Sequence, residues 1–391
     1  MIYRQLSEVA LGLVKKYPVL TVIGPRQSGK TTLCRNIFPN LSYTNLEELD
    51  VREFARQDPK AFLGQYPEGC IIDEIQRVPE LTSYIQVLVD EKKQNGMFVL
   101  TGSQNFSIRE ALGQSLAGRT AIIHQLPFSL EEVRTLSKGS NISLMYKGFY
   151  PRVFEQDLNP TQFYQDYLAT YVERDLRQLS LVKEVSQFQT FVKLCAGRVG
   201  NSINFEKMGN DVGVSQPTAK EWFSLLEASY IVFKLPPYFA NIRKRLVKTP
   251  KLYFYDVGLA CYLLGIESEK HLEAHPLRGA LFENMVVAEA LKKVANSGKT
   301  TQLHYYRDSD GNEIDLLWPV VNHNVPIEVK SGSTIASDYF KNFPSYRKAI
   351  RDDVYQGLVV YGGDKIQLRS DCTVTGIRDF SNQLDKIIKL T

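Results

Sequence analysis

Paired thiols are missing from this chain. Cys34, Cys70, Cys195, Cys261 and Cys372 are widely scattered, with no Cys-x-x-Cys and no short framework. That excludes a disulfide-stapled secreted scaffold and suits reduced thiols in a cytosolic protein. Long hydrophobic runs are missing too, none approaching the ~18 apolar residues a spanning helix needs. The opening "MIYRQLSEVALGLVKKYP" breaks its apolar pattern with charges and lacks a signal-peptide core. No internal repeat and no low-complexity linker is seen. The expectation is a cytoplasmic protein without a membrane partner. Nor is there a strong excess of one charge. Lys and Arg number 47 against 43 Asp and Glu, a net +4, so a polyanionic partner has to be argued from local clusters. At roughly 150 residues per domain, 391 residues suggest two or three domains, and 43% apolar content suffices for more than one core.

What is present begins with "PVLTVIGPRQSGKTTLCRNIF". An apolar strand from Val19 to Ile23 leads into a loop, Gly24, Pro25, Arg26, Gln27, Ser28 and Gly29, and then Lys30, Thr31 and Thr32 open a helix. This is the GxxxxGK[ST] phosphate loop in its required context. Backbone N–H groups wrap a phosphate, the helix N-terminus adds partial positive charge, Lys30 reaches the β- and γ-phosphates, and Thr31 binds Mg²⁺. ATP and Mg²⁺ are therefore the expected cofactors. "GCIIDEIQRVPEL" supplies a second buried strand ending in Asp73 and Glu74. Asp73 suits the magnesium shell and Glu74 the activation of water, although adjacent acids also suit a solvated turn. "MFVLTGSQNF" is a third strand, whose polar end offers Thr101, Ser103 and Gln104 to the nucleotide, or Ser103 as a helix cap. Arg119, in "SLAGRTAIIHQLPF", is a candidate phosphate arginine in cis or in trans, or else a surface ion-pair partner; Arg174 is a weaker candidate. Strand, loop and helix repeated through 18–130 predict a doubly wound α/β domain.

The middle reads as helical. In "NFEKMGNDVGVSQPTAKEWFSLLEASYIVFKL" one helix runs through Met208 and Val212, Gly213 turns, and Ser215 caps a second helix with Pro217 in its first turn. An apolar strand follows, the outline of a winged helix. Its second helix offers Gln216, Thr218, Lys220 and Ser224, a poor base-reading set. "NIRKRLVKTPK" carries Arg243, Lys244, Arg245, Lys248 and Lys251 without an acid, which suits phosphate contact. DNA contact through 215–251 is expected, with an internal packing module or oligomer contact as the alternative.

Three elements near the end carry acids. Glu283 lies in the helix "GALFENMVVAEALKKV" on an apolar face with Val286, Val287, Ala290 and Val294, while Glu289 and Lys292 fall on other faces. Alternation sets Glu313 and Asp315 of "NEIDLLW" on one face, and likewise Glu328 and Lys330 of "PIEVK". Twelve residues separate Asp315 from Glu328, and one separates Glu328 from Lys330. Glu283, Asp315 and Glu328 could hold a metal while Lys330 orients the water of phosphodiester hydrolysis. The alternative is a strand pair with polar faces and one odd helical acid.

With these residues in hand, the chain resembles a family of bacterial and archaeal AAA-type ATP-binding proteins with a C-terminal PD-(D/E)XK nuclease-like region. The motifs are "GPRQSGKTT", "IIDEIQ", "LTGS" and "LAGR", then "YIVFKLPPY", "KLYFYDVGL", "LFENMVVAEALKK", "NEIDLL" and "IEVKSG". The resemblance implies an α/β chain of three parts. These are a P-loop AAA-type ATPase domain at 1–155, a helical and winged-helix segment at 156–255, and a restriction-endonuclease-like domain at 256–391. It gives Lys30, Thr31, Asp73 and Glu74 the ATPase roles, and Glu283, Asp315, Glu328 and Lys330 the nuclease-type roles. DNA at the C-terminal domain and a homo-oligomer are the further partners expected. No helical lid of the AAA kind is matched after the first domain.

Overall fold

The computed structural model describes residues 2–103, 115–172, 185–238, 249–321, 323–350 and 356–390. Its first layer system is a parallel sheet of five strands: β1 (Val19–Ile23), β2 (Ser42–Asn45), β3 (Cys70–Asp73), β4 (Phe98–Gly102) and β5 (Thr120–His124), in the order β2-β3-β4-β1-β5. Every residue of β1, β3 and β4 is buried, as expected of central strands covered on both faces. Leu20 and Val22 pack with helices α1 (Leu6–Leu13) and α2 (Lys30–Ile37) on one face. Val19 and Ile23 pack on the other, with the helices Leu49–Gln57, Pro59–Gly64 and Leu81–Lys92. Alternation along one strand thus feeds two cores. Because β4 is inserted between β1 and β3, the ends of three strands converge beside the 24–29 loop.

The middle is helical. Phe205–Val212 ends at Gly213, whose φ of +75° supplies the left-handed stop, and Ser215 accepts the Thr218 N–H at 3.3 Å to open Gln216–Ala228. Trp222 packs on Phe188 and Phe191 of the helix Val185–Ala196. An antiparallel ribbon follows, β6 (Val232–Leu235) with β7 (Lys251–Phe254).

The C-terminal sheet is mixed. Its strands β8 (His304–Arg307), β9 (Glu313–Pro319), β10 (Asn324–Lys330), β11 (Gly357–Tyr361), β12 (Gln367–Leu368) and β13 (Cys372–Gly376) lie in the order β12-β13-β11-β10-β9-β8. Strands β10, β11 and β13 are parallel and the other pairings antiparallel. The helix Arg278–Asn296 packs across it and joins a hydrophobic core that runs from Phe128 through the middle helices to Ile387. Glu289 and Lys292 of this helix, set apart from its apolar face by periodicity, are buried as well. Glu289 accepts the Leu130 N–H at 2.9 Å, and Lys292 donates to the Phe128 carbonyl at 2.8 Å. These contacts dock the segment after β5 onto the helix. All five cysteines are unpaired and buried. Among the described residues no helix is long and apolar enough to cross a membrane.

Candidate functional site

The loop after β1 is shaped by close packing. A Cβ on Gly24 would meet the Gln125 carbonyl oxygen at 2.1 Å, and Gly29 opens α2 with φ +88°. Lys30 is buried, and its amino group donates to the carbonyls of Gly24 at 3.1 Å and Pro25 at 2.8 Å. Burial lowers its pKa, opposed by the charges of Glu74 and Asp73. Gly24, Pro25, Arg26, Gln27, Ser28, Gly29, Lys30, Thr31 and Thr32 form one continuous turn and helix start, so the predicted phosphate-binding residues stand together.

Asp73, ending β3, accepts three hydroxyls. Thr31 Oγ1 donates at 2.7 Å and Tyr43 Oη at 2.9 Å to Oδ2, while Thr101 Oγ1 donates to Oδ1. Burial, with the carboxylate beside it, raises the Tyr43 phenol well above its ordinary pKa. A hydroxyl and a carboxylate within hydrogen-bond reach are the hard oxygen donors Mg²⁺ prefers, so Thr31 and Asp73 fit that ion. Glu74 follows in a left-handed conformation, φ +58°. Its Oε2 accepts from Ser103 Oγ at 3.2 Å and from Gln76 Nε2, which also reaches Ser103 Oγ at 3.1 Å. Tyr43 and Gln125 had no signal in the sequence, because strand order alone brings them here, whereas Gln76 reaches Glu74 from only two residues away.

Arg119 is a correction for the role in cis. Strands β1 and β5 run parallel with Val19 opposite Thr120, and Arg119 precedes Thr120 whereas the loop follows Ile23. Five residues at ~3.3 Å each put ~16 Å of strand between them. Arg119 instead forms a two-pronged pair with Asp90, at 2.6 and 2.8 Å. Gln104 and Arg174 lie outside the described residues, as do Arg243, Lys244, Arg245 and Lys248.

Lys251, expected among the exposed cations, is a second correction. It is 3% exposed and turned inward by β7, with its amino group 2.5 Å from Glu313 and 3.2 Å from Glu283. Burial works against its charge, but Glu283, Asp315 and Glu313 outweigh that and the net shift is upward. On the second middle helix, Thr218 Oγ1 is engaged with Ser215 Oγ at 2.8 Å and Ser224 Oγ with the Lys220 carbonyl at 3.0 Å.

The C-terminal acids are each held by the chain itself. Glu283 also accepts from Tyr253, and burial raises its pKa to about 7. Asp315 accepts the Val329 N–H at 2.8 Å, with Lys330 Nζ 3.9 Å away. Glu328 accepts from Lys330 at 2.7 Å and Asn342 at 3.0 Å. Burial raises the Glu328 pKa to about 7 as well. The metal set is therefore corrected in one respect: among the described residues no three acid, His or Cys side chains form a group that could hold a metal ion. Internal lysines and hydrogen-bond donors take the place of a cation there.

Three family descriptions match in series: "AAA domain" over 16–134, "Domain of unknown function (DUF8612)" over 140–270, and "Domain of unknown function (DUF4143)" over 278–380. "Uncharacterized protein Rv2008c" of Mycobacterium tuberculosis is 30% identical over 322 residues, covering 81% of this chain and 71% of the relative. This chain and Rv2008c belong to one family. "Uncharacterized protein MJ1637" of Methanocaldococcus jannaschii is 25% identical over 414 residues, 91% of this chain and 83% of the relative. Among solved structures, "The walker-type atpase paby2304 of pyrococcus abyssi" aligns at 15% identity and TM-score 0.46, over 66% of this chain and 94% of that one. The protein is thus a member of the Rv2008c family whose residues 16–134 are an AAA domain, which implies nucleotide binding.

Proposed function

We propose that the chain binds ATP with Mg²⁺ in the 24–32 turn and hydrolyses it, with Glu74 as the general base. The observation that carries this is the convergence at one sheet edge of Lys30, the Thr31–Asp73 pair at 2.7 Å and a Glu74 carboxylate fixed by Ser103 and Gln76. The loop N–H groups and the start of α2 receive the β- and γ-phosphates. Lys30 exchanges two neutral carbonyls for charged phosphate oxygens, which are stronger acceptors and restore its charge against burial. Thr31 and Asp73 hold Mg²⁺, which when bound neutralises charge on the phosphate oxygens. Glu74 takes a proton from the attacking water, and Thr101 keeps Asp73 oriented.

The finer proposal couples this cycle to DNA through 215–251 and the C-terminal domain, without metal-dependent cleavage at Glu283, Asp315, Glu328 and Lys330, whose acids form no metal-holding group among the described residues. One observation favours a different reading of that end, a nucleotide-switched protein-binding module on an inactive nuclease-like scaffold. Each acid already has a cation or donor from the chain. ATP turnover measured with and without duplex DNA separates them. Stimulation by DNA supports the coupled reading, and turnover indifferent to DNA supports the scaffold. Lys30→Ala tests the nucleotide site in the same assay and should abolish turnover.

A further inference from the structure

We infer that Arg4 and Gln125 are positioning residues for the phosphate loop, turning the Ser28–Gly29 peptide so that its N–H faces the bound phosphate. This rests on the nucleotide-binding reading above. The Ser28 carbonyl accepts from two side chains, Gln125 Nε2 at 3.2 Å and Arg4 Nη1 at 3.3 Å. Ser28 and Gln125 are fully buried and Arg4 is 5% exposed, so water does not compete for that carbonyl. Among the described residues no peptide bond is cis. In a trans peptide the C=O and N–H point to opposite sides. Pinning the carbonyl from behind therefore commits the Gly29 N–H to the other side of the loop. Gly29 is also the cap of α2, and an N–H there has no carbonyl one turn earlier to bond.

Arg4 is itself rigidly framed. Nη2 donates to the Leu126 carbonyl at 2.6 Å, Nε lies 3.2 Å from Glu132 Oε1, and the guanidinium carbon stands 4.7 Å over the Phe128 ring. Glu132 is locked in turn, accepting the Gln5 N–H at 2.9 Å and the Ser129 N–H at 2.8 Å. Two guanidinium nitrogens donating to two carbonyls, with the Glu132 carboxylate beside the third, is an arrangement that lysine cannot reproduce. Glu132 balances the charge, so the contribution to phosphate binding is orientation rather than added positive potential. Such an effect precedes chemistry and is shared by ground and transition states, so it belongs to nucleotide affinity and not to kcat.

The test uses the full chain, a fluorescent ATP analogue for the dissociation constant, steady-state turnover, and thermal unfolding. Gln125→Met is the cleanest variant, because it removes one donor, no charge, and an Oε1 that has no hydrogen-bond partner among the described residues. It should unfold at the wild-type temperature yet bind the analogue about fivefold more weakly, the loss expected for one hydrogen bond of ordinary net strength. Its kcat at saturating ATP should stay within about twofold of wild type. Arg4→Met alone leaves Glu132 buried without its cation and endangers folding. Arg4→Met with Glu132→Gln avoids that and should weaken binding by about tenfold. Wild-type affinity in both Gln125→Met and the folded double variant would overturn the inference and leave the ATPase reading standing. A wild type that binds no analogue would overturn that reading and this inference with it.

Discussion

Glu289 offers a quantitative test of how the first domain is seated on the C-terminal helix. It is buried, one oxygen accepts the Leu130 N–H, and the other has no hydrogen-bond partner among the described residues. Burial raises its pKa from 4.5 to about 7, against the opposing charge of Lys292. A carboxyl whose folded pKa lies above its unfolded one binds more protons when folded. Its contribution is fully present below about pH 4.5 and is lost as pH rises to about 7. At ~1.4 kcal/mol per unit, a rise of about 2.5 units corresponds to ~3 kcal/mol. Glu289→Gln keeps an acceptor for Leu130 and cannot ionise. Its stability relative to wild type should therefore increase by ~2 kcal/mol between about pH 5.5 and pH 8. Urea unfolding of both proteins at the two pH values measures this. An identical stability difference at both would refute the burial argument.

Lys251→Met removes the cation between Glu283 and Glu313 and should cost about 3 to 5 kcal/mol in urea unfolding, the range for breaking a buried pair. If that cost is under about 1 kcal/mol, Lys251 does not have the structural role assigned to it. Ser103→Ala frees one side of Glu74 and should lower kcat about tenfold while leaving ATP affinity unchanged, as steady-state kinetics and analogue binding will show. Arg119→Ala should leave turnover within about twofold at dilute protein, since the arginine is tied to Asp90 away from the loop; a large loss that grows with protein concentration would reveal a role in trans.

The parts of the site that sequence made legible are those where chemistry is local. Gly24, Gly29, Lys30 and Thr31 sit in one loop and helix start, and Asp73 and Glu74 stand where one strand ends, so type and spacing alone singled them out as candidates. The Gly213 stop and Ser215 cap were legible for the same reason. Tyr43, Gln125 and Arg4 were not, because their partners are distant in sequence and are brought near only once the β2-β3-β4-β1-β5 sheet has formed. Lys251 reads as one more cation in a basic string until pairing with β6 turns it toward Glu283 and Glu313. Alternation set Glu313 and Asp315 on one side, and the charges of both raise the Lys251 pKa. It could not say that internal lysines would occupy the space between the acids. Periodicity likewise separated Glu289 and Lys292 from the apolar stripe, but the docking of Phe128 and Leu130 on that side is a contact across more than 150 residues.

The most direct test of the central claim is Mg²⁺-dependent phosphate release from ATP by the wild type and Glu74→Gln, with analogue binding measured on both. Turnover by the wild type, reduced about 10²- to 10⁴-fold in Glu74→Gln with binding intact, is the predicted result for a general base. Equal turnover in the two proteins, or none in a wild type that binds the analogue, would contradict the assignment of Glu74 and with it hydrolysis at this site.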